Sequence, residues 1–89
     1  VLERDLKIIN KLGLHARAAS KFVNVASRYG SRIRVRHRGD WVDGKSIMAV
    51  MMLAAGQGSV LVVQVDGDDE DLALTALASL VDDYFGEGE

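Results

Sequence analysis

The 89-residue chain is 48% hydrophobic and 27% charged, enough for one modest core, so a single domain over residues 1–89 is expected. It has no cysteine, which excludes a disulfide framework and a thiolate metal site, and no apolar run long enough to span a bilayer or resemble a secretion signal. A cytoplasmic protein without membrane insertion, metal or cofactor is expected. Net charge is −2 but unevenly spread: every charge after Gln64 is acidic, while Arg32, Arg34, Arg36 and Arg38 crowd the middle.

In chain order, residues 2–9 alternate as a first strand, with Leu6 and Ile8 on one face. Residues 10–14 form a loop closed by Gly13. Residues 16–29 read as a helix whose Ala19, Phe22, Val23 and Ala26 face the core at three- and four-residue spacing, with Gly30 as its stop. Residues 32–38 alternate as a strand with Ile33, Val35 and His37 on one side and four arginines on the other. A turn at Gly39-Asp40 leads to a short partner strand over 41–43. Such a tight connection requires an antiparallel pair. Residues 46–53 form a short helix with Ser46 as its N-cap. There Val50 and Leu53 face inward, and Ile47, Met48 and Met51 make an apolar stripe on the other side. Residues 59–65 are an apolar, β-branched strand expected at the centre of the sheet. After Gly67 comes a last helix with an acidic first turn. Leu72, Ala73, Ala76, Leu77, Leu80, Val81 and Tyr84 form its packing stripe, and the residues beyond Gly86 are expected to fray. The order is βαββαβα.

Chemistry concentrates in Gly13-Leu14-His15-Ala16-Arg17-Ala18-Ala19-Ser20. His15 falls at a helix N-terminus, where backbone N–H groups have no partner inside the helix and the dipole favours an anion. Ala16 and Ala18 are the candidate cradle around it. Neutral imidazole is a nucleophile near physiological pH, and Arg17 lies two residues on. An imidazole, an anion cradle and a guanidinium point to a phosphoryl group held on His15. Its charge, roughly −2, is offset by charge-assisted hydrogen bonds. Without a metal or a deep pocket, a carrier fits better than a hydrolase. Alone, however, a histidine at a loop–helix junction does not separate a carrier site from an ordinary cap.

A second motif adds the discrimination. Residues 12–17, Leu-Gly-Leu-His-Ala-Arg, are followed in register by Lys45-Ser46-Ile47-Met48-Ala49-Val50-Met51. Together they resemble the HPr family, the histidine-containing phosphocarriers of the bacterial phosphoenolpyruvate-dependent phosphotransferase system. The resemblance runs from the first strand to the last helix. It implies an α+β open-faced β-sandwich, with a four-stranded antiparallel sheet covered on one face by three helices. It also implies a phosphoryl carrier rather than an enzyme. In that scheme enzyme I phosphorylates His15 (in the family, at Nδ1), Arg17 stabilises the group, and an enzyme IIA domain receives it, for sugar uptake or regulation.

In such proteins the serine matching Ser46 is phosphorylated by a dedicated HPr kinase/phosphorylase, and the stripe of Ile47, Met48 and Met51, with Ser20, docks successive partners. Methionine suits a surface that must fit several of them. One departure is Ala18, where the family usually has proline; alanine retains a donor and gives the helix a looser start. Residues 10–17 resemble the nitrogen-related branch of the family, and the Ser46 region the sugar-uptake branch.

Two other readings follow from the same residues. One is a regulatory binding protein controlled by phosphorylation of Ser46, with His15 idle; the pairing of His15 with Arg17 argues against it. The other is a nucleic-acid surface on the arginine strand. That strand lacks the aromatic pair that stacks bases, and the net charge is acidic. A monomer that binds no nucleic acid is expected.

Overall fold

The computed structural model describes residues 1–89. The elements are β1 (Leu2–Lys7), α1 (Ala16–Ala26), β2 (Arg32–Arg36), β3 (Val42–Asp43), α2 (Ile47–Met52), β4 (Val60–Asp66) and α3 (Glu70–Asp82), then a 3₁₀ turn at Tyr84–Gly86. The four strands form one sheet in the order β1-β4-β2-β3. Every neighbouring pair is antiparallel, with Leu6 opposite Leu61, Val35 opposite Val63 and Arg34 opposite Asp43. The expected open-faced sandwich is present, and β4 lies inside the sheet between β1 and β2.

One sheet face supplies Leu6, Ile33, Val35, Leu61, Val63 and Val65 to a core completed by Phe22 and Val23 of α1, Val50 of α2 and Leu77 and Val81 of α3. The other face is open. There Arg34 donates to the Gln64 side chain, and the Arg34 and Arg36 guanidinium groups stand 5.6 and 4.7 Å from the centre of the Trp41 ring. The arginine stripe is thus partly engaged by an aromatic neighbour on its own sheet.

Two boundaries and the rotation of one helix differ from what the sequence predicts. Helix α1 stops at Ala26, because its last turn tightens into bonds from Arg28 to Val25 and from Tyr29 to Ala26. Strand β2 stops at Arg36, since Arg38 has φ 68° and the chain makes a five-residue connection over 37–41 instead of a two-residue turn. His37 takes part in that connection, its Nδ1 lying 3.2 Å from the Leu53 carbonyl.

The third difference is the rotation of α3. Its buried side is Ala73, Leu74, Leu77, Ala78 and Val81, while Leu72 and Tyr84 are exposed. The Asp69 carboxylate explains the phase. It accepts from the Gly30 and Ser31 N–H groups at 2.9 and 3.0 Å and from the Ser31 hydroxyl. Anchoring the residue before the helix sets which side meets the sheet. Beyond Asp83, Tyr84 and Phe85 have φ of 57° and 53°, so the helical phase is broken. Phe85, not Tyr84, turns into the core, where it is fully buried.

Candidate functional site

The loop before α1 is pinned from below. Asn10 is fully buried, and its Nδ2 donates to the Gly13 carbonyl at 2.8 Å while the Gly13 N–H returns to the Asn10 carbonyl at 3.2 Å. Leu14 is buried and its N–H donates to the Ala55 carbonyl at 2.8 Å. Gly13 is required twice over. Its φ is +65°, and a Cβ there would lie 2.5 Å from the Ala55 oxygen and 2.7 Å from the Gly56 Cα. The residue that follows this anchored segment, His15, is therefore delivered to a fixed height above the segment after α2.

His15 is the N-cap of α1, with extended backbone (φ −71°, ψ 176°) and a side chain that makes no capping bond. The first intrahelical bond runs from the Ala19 N–H to the His15 carbonyl at 2.9 Å. The amides of residues 16–18 precede it and have no acceptor inside the helix. Ala16 and Arg17 are exposed, but Ala18 has no exposed surface. Of the two residues expected to form the cradle, only Ala16 is exposed in this conformation, and Arg17, expected to stabilise the group, is exposed beside it. Ser20 is half-buried on α1.

His15 and Arg17 meet at one point through a residue that the sequence reading did not select. Glu87 Oε1 lies 2.8 Å from His15 Nε2, and Glu87 Oε2 accepts from Arg17 Nε at 2.7 Å. The tail expected to fray is instead held down: the Glu87 side chain is only 11% exposed. Its carboxyl sits below the ordinary glutamate range, chiefly because of the hydrogen bond with His15 and also through that with Arg17. Buried Phe85 anchors the segment, and Lys21 Nζ donates to the Phe85 carbonyl at 2.8 Å. The only sequence signal was the adjacent aromatic pair Tyr84-Phe85, of which a single helical face could bury one.

Beside these residues is a shallow depression of about 230 Å³ lined by Arg17, Lys21, Gly86 and Glu87. A larger one, about 380 Å³, lies over Arg32, Ile33, Arg34, Trp41, Val42 and Asp43 on the open sheet face and includes neither His15 nor Arg17.

Ser46 is on a different element. It caps α2, its hydroxyl accepting from the Ala49 N–H at 3.3 Å. Asp43 prepares that turn by accepting from the Lys45 N–H at 2.9 Å. Of the α2 side chains, Val50 is buried and Leu53, just past the end, packs on the core, while Ile47, Met48 and Met51 are exposed. Two further exposed apolar residues, Met52 on α2 and Leu12 on the loop before His15, extend this set. Helix α2 packs against α1.

A half-covered antiparallel sheet, with a histidine and an arginine together at the start of its first helix, is the arrangement expected of a histidine phosphocarrier. A family model described as the phosphorylation site of the HPr component of the phosphotransferase system matches residues 2–83. The phosphocarrier protein HPr of Pseudomonas aeruginosa is 59% identical over 86 residues, 96% of each chain. Among solved structures, HPr from Thermoanaerobacter tengcongensis superposes with a TM-score of 0.93 at 44% identity, covering 98% of both chains. A dimer of HPr from the same organism gives 0.78 at 45% identity, covering 92% of this chain and 94% of that one. The chain belongs to the HPr family, the phosphocarriers of the bacterial phosphotransferase system. No helix is long and apolar enough to cross a membrane.

Proposed function

We propose that His15 accepts a phosphoryl group from phosphorylated enzyme I, charged by phosphoenolpyruvate, and passes it to an enzyme IIA domain. The observation that carries this reading is that His15 and Arg17 converge on a single anion, the Glu87 carboxylate, at 2.8 and 2.7 Å. A histidine and an arginine that jointly hold one anion at a helix N-terminus suit a phosphoryl group on the same histidine. The Ala16 and Arg17 amides add donors at the exposed start of α1. The chain acts in this scheme as one cytoplasmic domain over residues 1–89, a monomer and a carrier, being both substrate and product of its partners.

The docking surface proposed for enzyme I and enzyme IIA is the exposed set Ile47, Met48 and Met51, with Ser20 on α1. Ser46 is the proposed regulatory site, the substrate of an HPr kinase/phosphorylase. A phosphate there gains from its place at the start of α2 and sets negative charge beside the apolar docking residues. Binding of a partner with an acidic surface then weakens, and transfer to His15 slows.

The experiment is intact mass after incubation with phosphoenolpyruvate and enzyme I, for the native chain and for His15→Ala. The expected result is a gain of one acid-labile phosphoryl group that the variant lacks. A folded chain that gains none from a cognate enzyme I would instead favour a regulatory protein controlled through Ser46.

A further inference from the structure

The phosphocarrier reading takes the Glu87 carboxylate as a sign that the site holds an anion but gives Glu87 itself no role, and residues 84–89 lie beyond the stretch matched by the family model. An ionised carboxylate can only accept hydrogen bonds. With Oε1 2.8 Å from His15 Nε2, Nε2 must carry the hydrogen. A neutral imidazole carries one such hydrogen, so its lone pair lies on Nδ1. The His15 side chain makes no capping bond to the α1 amides, so that lone pair is not taken up by the helix it precedes.

Glu87 is placed there by a built segment. Tyr84 and Phe85 are both left-handed, a costly backbone for aromatic residues. The buried Phe85 ring, the Lys21 ammonium on the Phe85 carbonyl, and a Glu87 N–H bond to the Tyr84 carbonyl at 3.0 Å hold the turn. This turn brings the chain from the end of α3 back to the start of α1.

The geometry points to Glu87 as a positioning residue for phosphoryl transfer: it holds the proton on His15 Nε2, presents Nδ1 as the nucleophile, and keeps Arg17 beside it. The inference rests on His15 being the phosphoryl acceptor. In the forward step the Nδ1 lone pair forms the N–P bond. The bond from phosphorus to the donor breaks, and its electron pair leaves with the donor. Nε2 keeps its proton, so the phosphorylated ring becomes cationic opposite the Glu87 carboxylate. On transfer to the next acceptor the N–P pair returns to Nδ1 and the ring is neutral again. A carboxylate plays the same two parts, tautomer control and imidazolium stabilisation, in a Ser-His-Asp triad. Oε2 meanwhile engages Arg17 through Nε, which leaves both Nη groups for phosphoryl oxygens.

The test compares the full chain, Glu87→Ala, Glu87→Gln and Glu89→Ala, each with isotope-labelled histidine. Ring nitrogen chemical shifts of the neutral, unphosphorylated protein report the tautomer, with His37 as the internal reference. The rate of phosphoryl uptake is measured with enzyme I and phosphoenolpyruvate. In the native chain the hydrogen is expected on Nε2. In Glu87→Ala the two tautomers mix and uptake falls about tenfold, the scale of one charge-assisted hydrogen bond. Glu87→Gln still accepts from Nε2 but has no charge; it restores the tautomer and recovers only part of the rate. Glu89→Ala matches the native chain. If Glu87→Ala keeps both native shifts and native rate, the positioning role is wrong while the acceptor role of His15 stands. If all four chains fail to take a phosphoryl group on His15, the acceptor reading and this inference fall together.

Discussion

Replacing Gly13 with alanine should break the contact that sets the height of the His15 loop. Two separate penalties act at this position. Alanine at φ +65° takes on left-handed strain of about 1–2 kcal/mol. Its Cβ would also stand 2.5 Å from the Ala55 oxygen and 2.7 Å from the Gly56 Cα. Both neighbours are backbone, so relief requires moving one loop away from the other, a packing penalty of about 1–3 kcal/mol. Reduced freedom of the unfolded chain returns about 0.4–1 kcal/mol. The net loss is then roughly 1–5 kcal/mol, centred on about 3 kcal/mol, against a total stability of about 5–13 kcal/mol for a domain of this size. The variant should remain folded but melt on the order of 15 °C lower.

The assay is urea unfolding followed by far-UV circular dichroism, with two controls. Gly58 has φ +90° and open space around it, so Gly58→Ala carries the backbone strain without the clash. Gly56 has neither feature, so Gly56→Ala should be close to neutral. The excess loss in Gly13→Ala over Gly58→Ala measures the clash alone. Because the raised loop carries His15, phosphoryl uptake should fall as well. If Gly13→Ala loses no more stability than Gly58→Ala, the loop is not seated on the 55–56 segment in solution and the reasoning fails.

Ser46→Ala removes an N-cap whose bond to Ala49 is 3.3 Å long, so urea unfolding should show a loss of about 1 kcal/mol or less. A loss of several kcal/mol would mean that Ser46 does more for the fold than cap α2. Asp69→Asn tests the anchor of α3 through pH. The Asp69 carboxyl is held below its ordinary value of 3.8, first by the Ser31 hydroxyl and then by the Gly30 N–H. A folded-state pKa below the unfolded one means that the unfolded chain binds more protons in the interval between them. The stabilisation is therefore complete above about pH 4 and is lost as pH falls through the folded value. Urea midpoints of the native chain and the variant should differ at neutral pH and converge in acid. A gap that stays constant with pH would show that the carboxylate charge is not what anchors the helix.

What the sequence determined by itself was everything governed by neighbours within about one turn. Alternation defined β1 and β2, an apolar, β-branched run defined β4, three-and-four spacing defined the buried side of α1, and the Ser46 cap followed from residue type and position. The Gly13-to-Arg17 motif placed an imidazole and a guanidinium at the same helix start without any tertiary information. The rotation of α3 could not be read in this way. Leu72, Leu74, Leu77 and Leu80 allow more than one apolar face, and the choice is made by Asp69 gripping Gly30 and Ser31, nearly forty positions away in the chain. The C-terminal turn is the same case carried further. Two left-handed aromatic residues follow no local preference, and they are held by burial of Phe85 and by Lys21 of α1. Local propensity therefore reads Glu87 as part of a fraying tail. Only packing between the two ends of the chain brings its carboxylate to His15 and Arg17, because long-range burial outweighs the conformational preference of the few residues it bends.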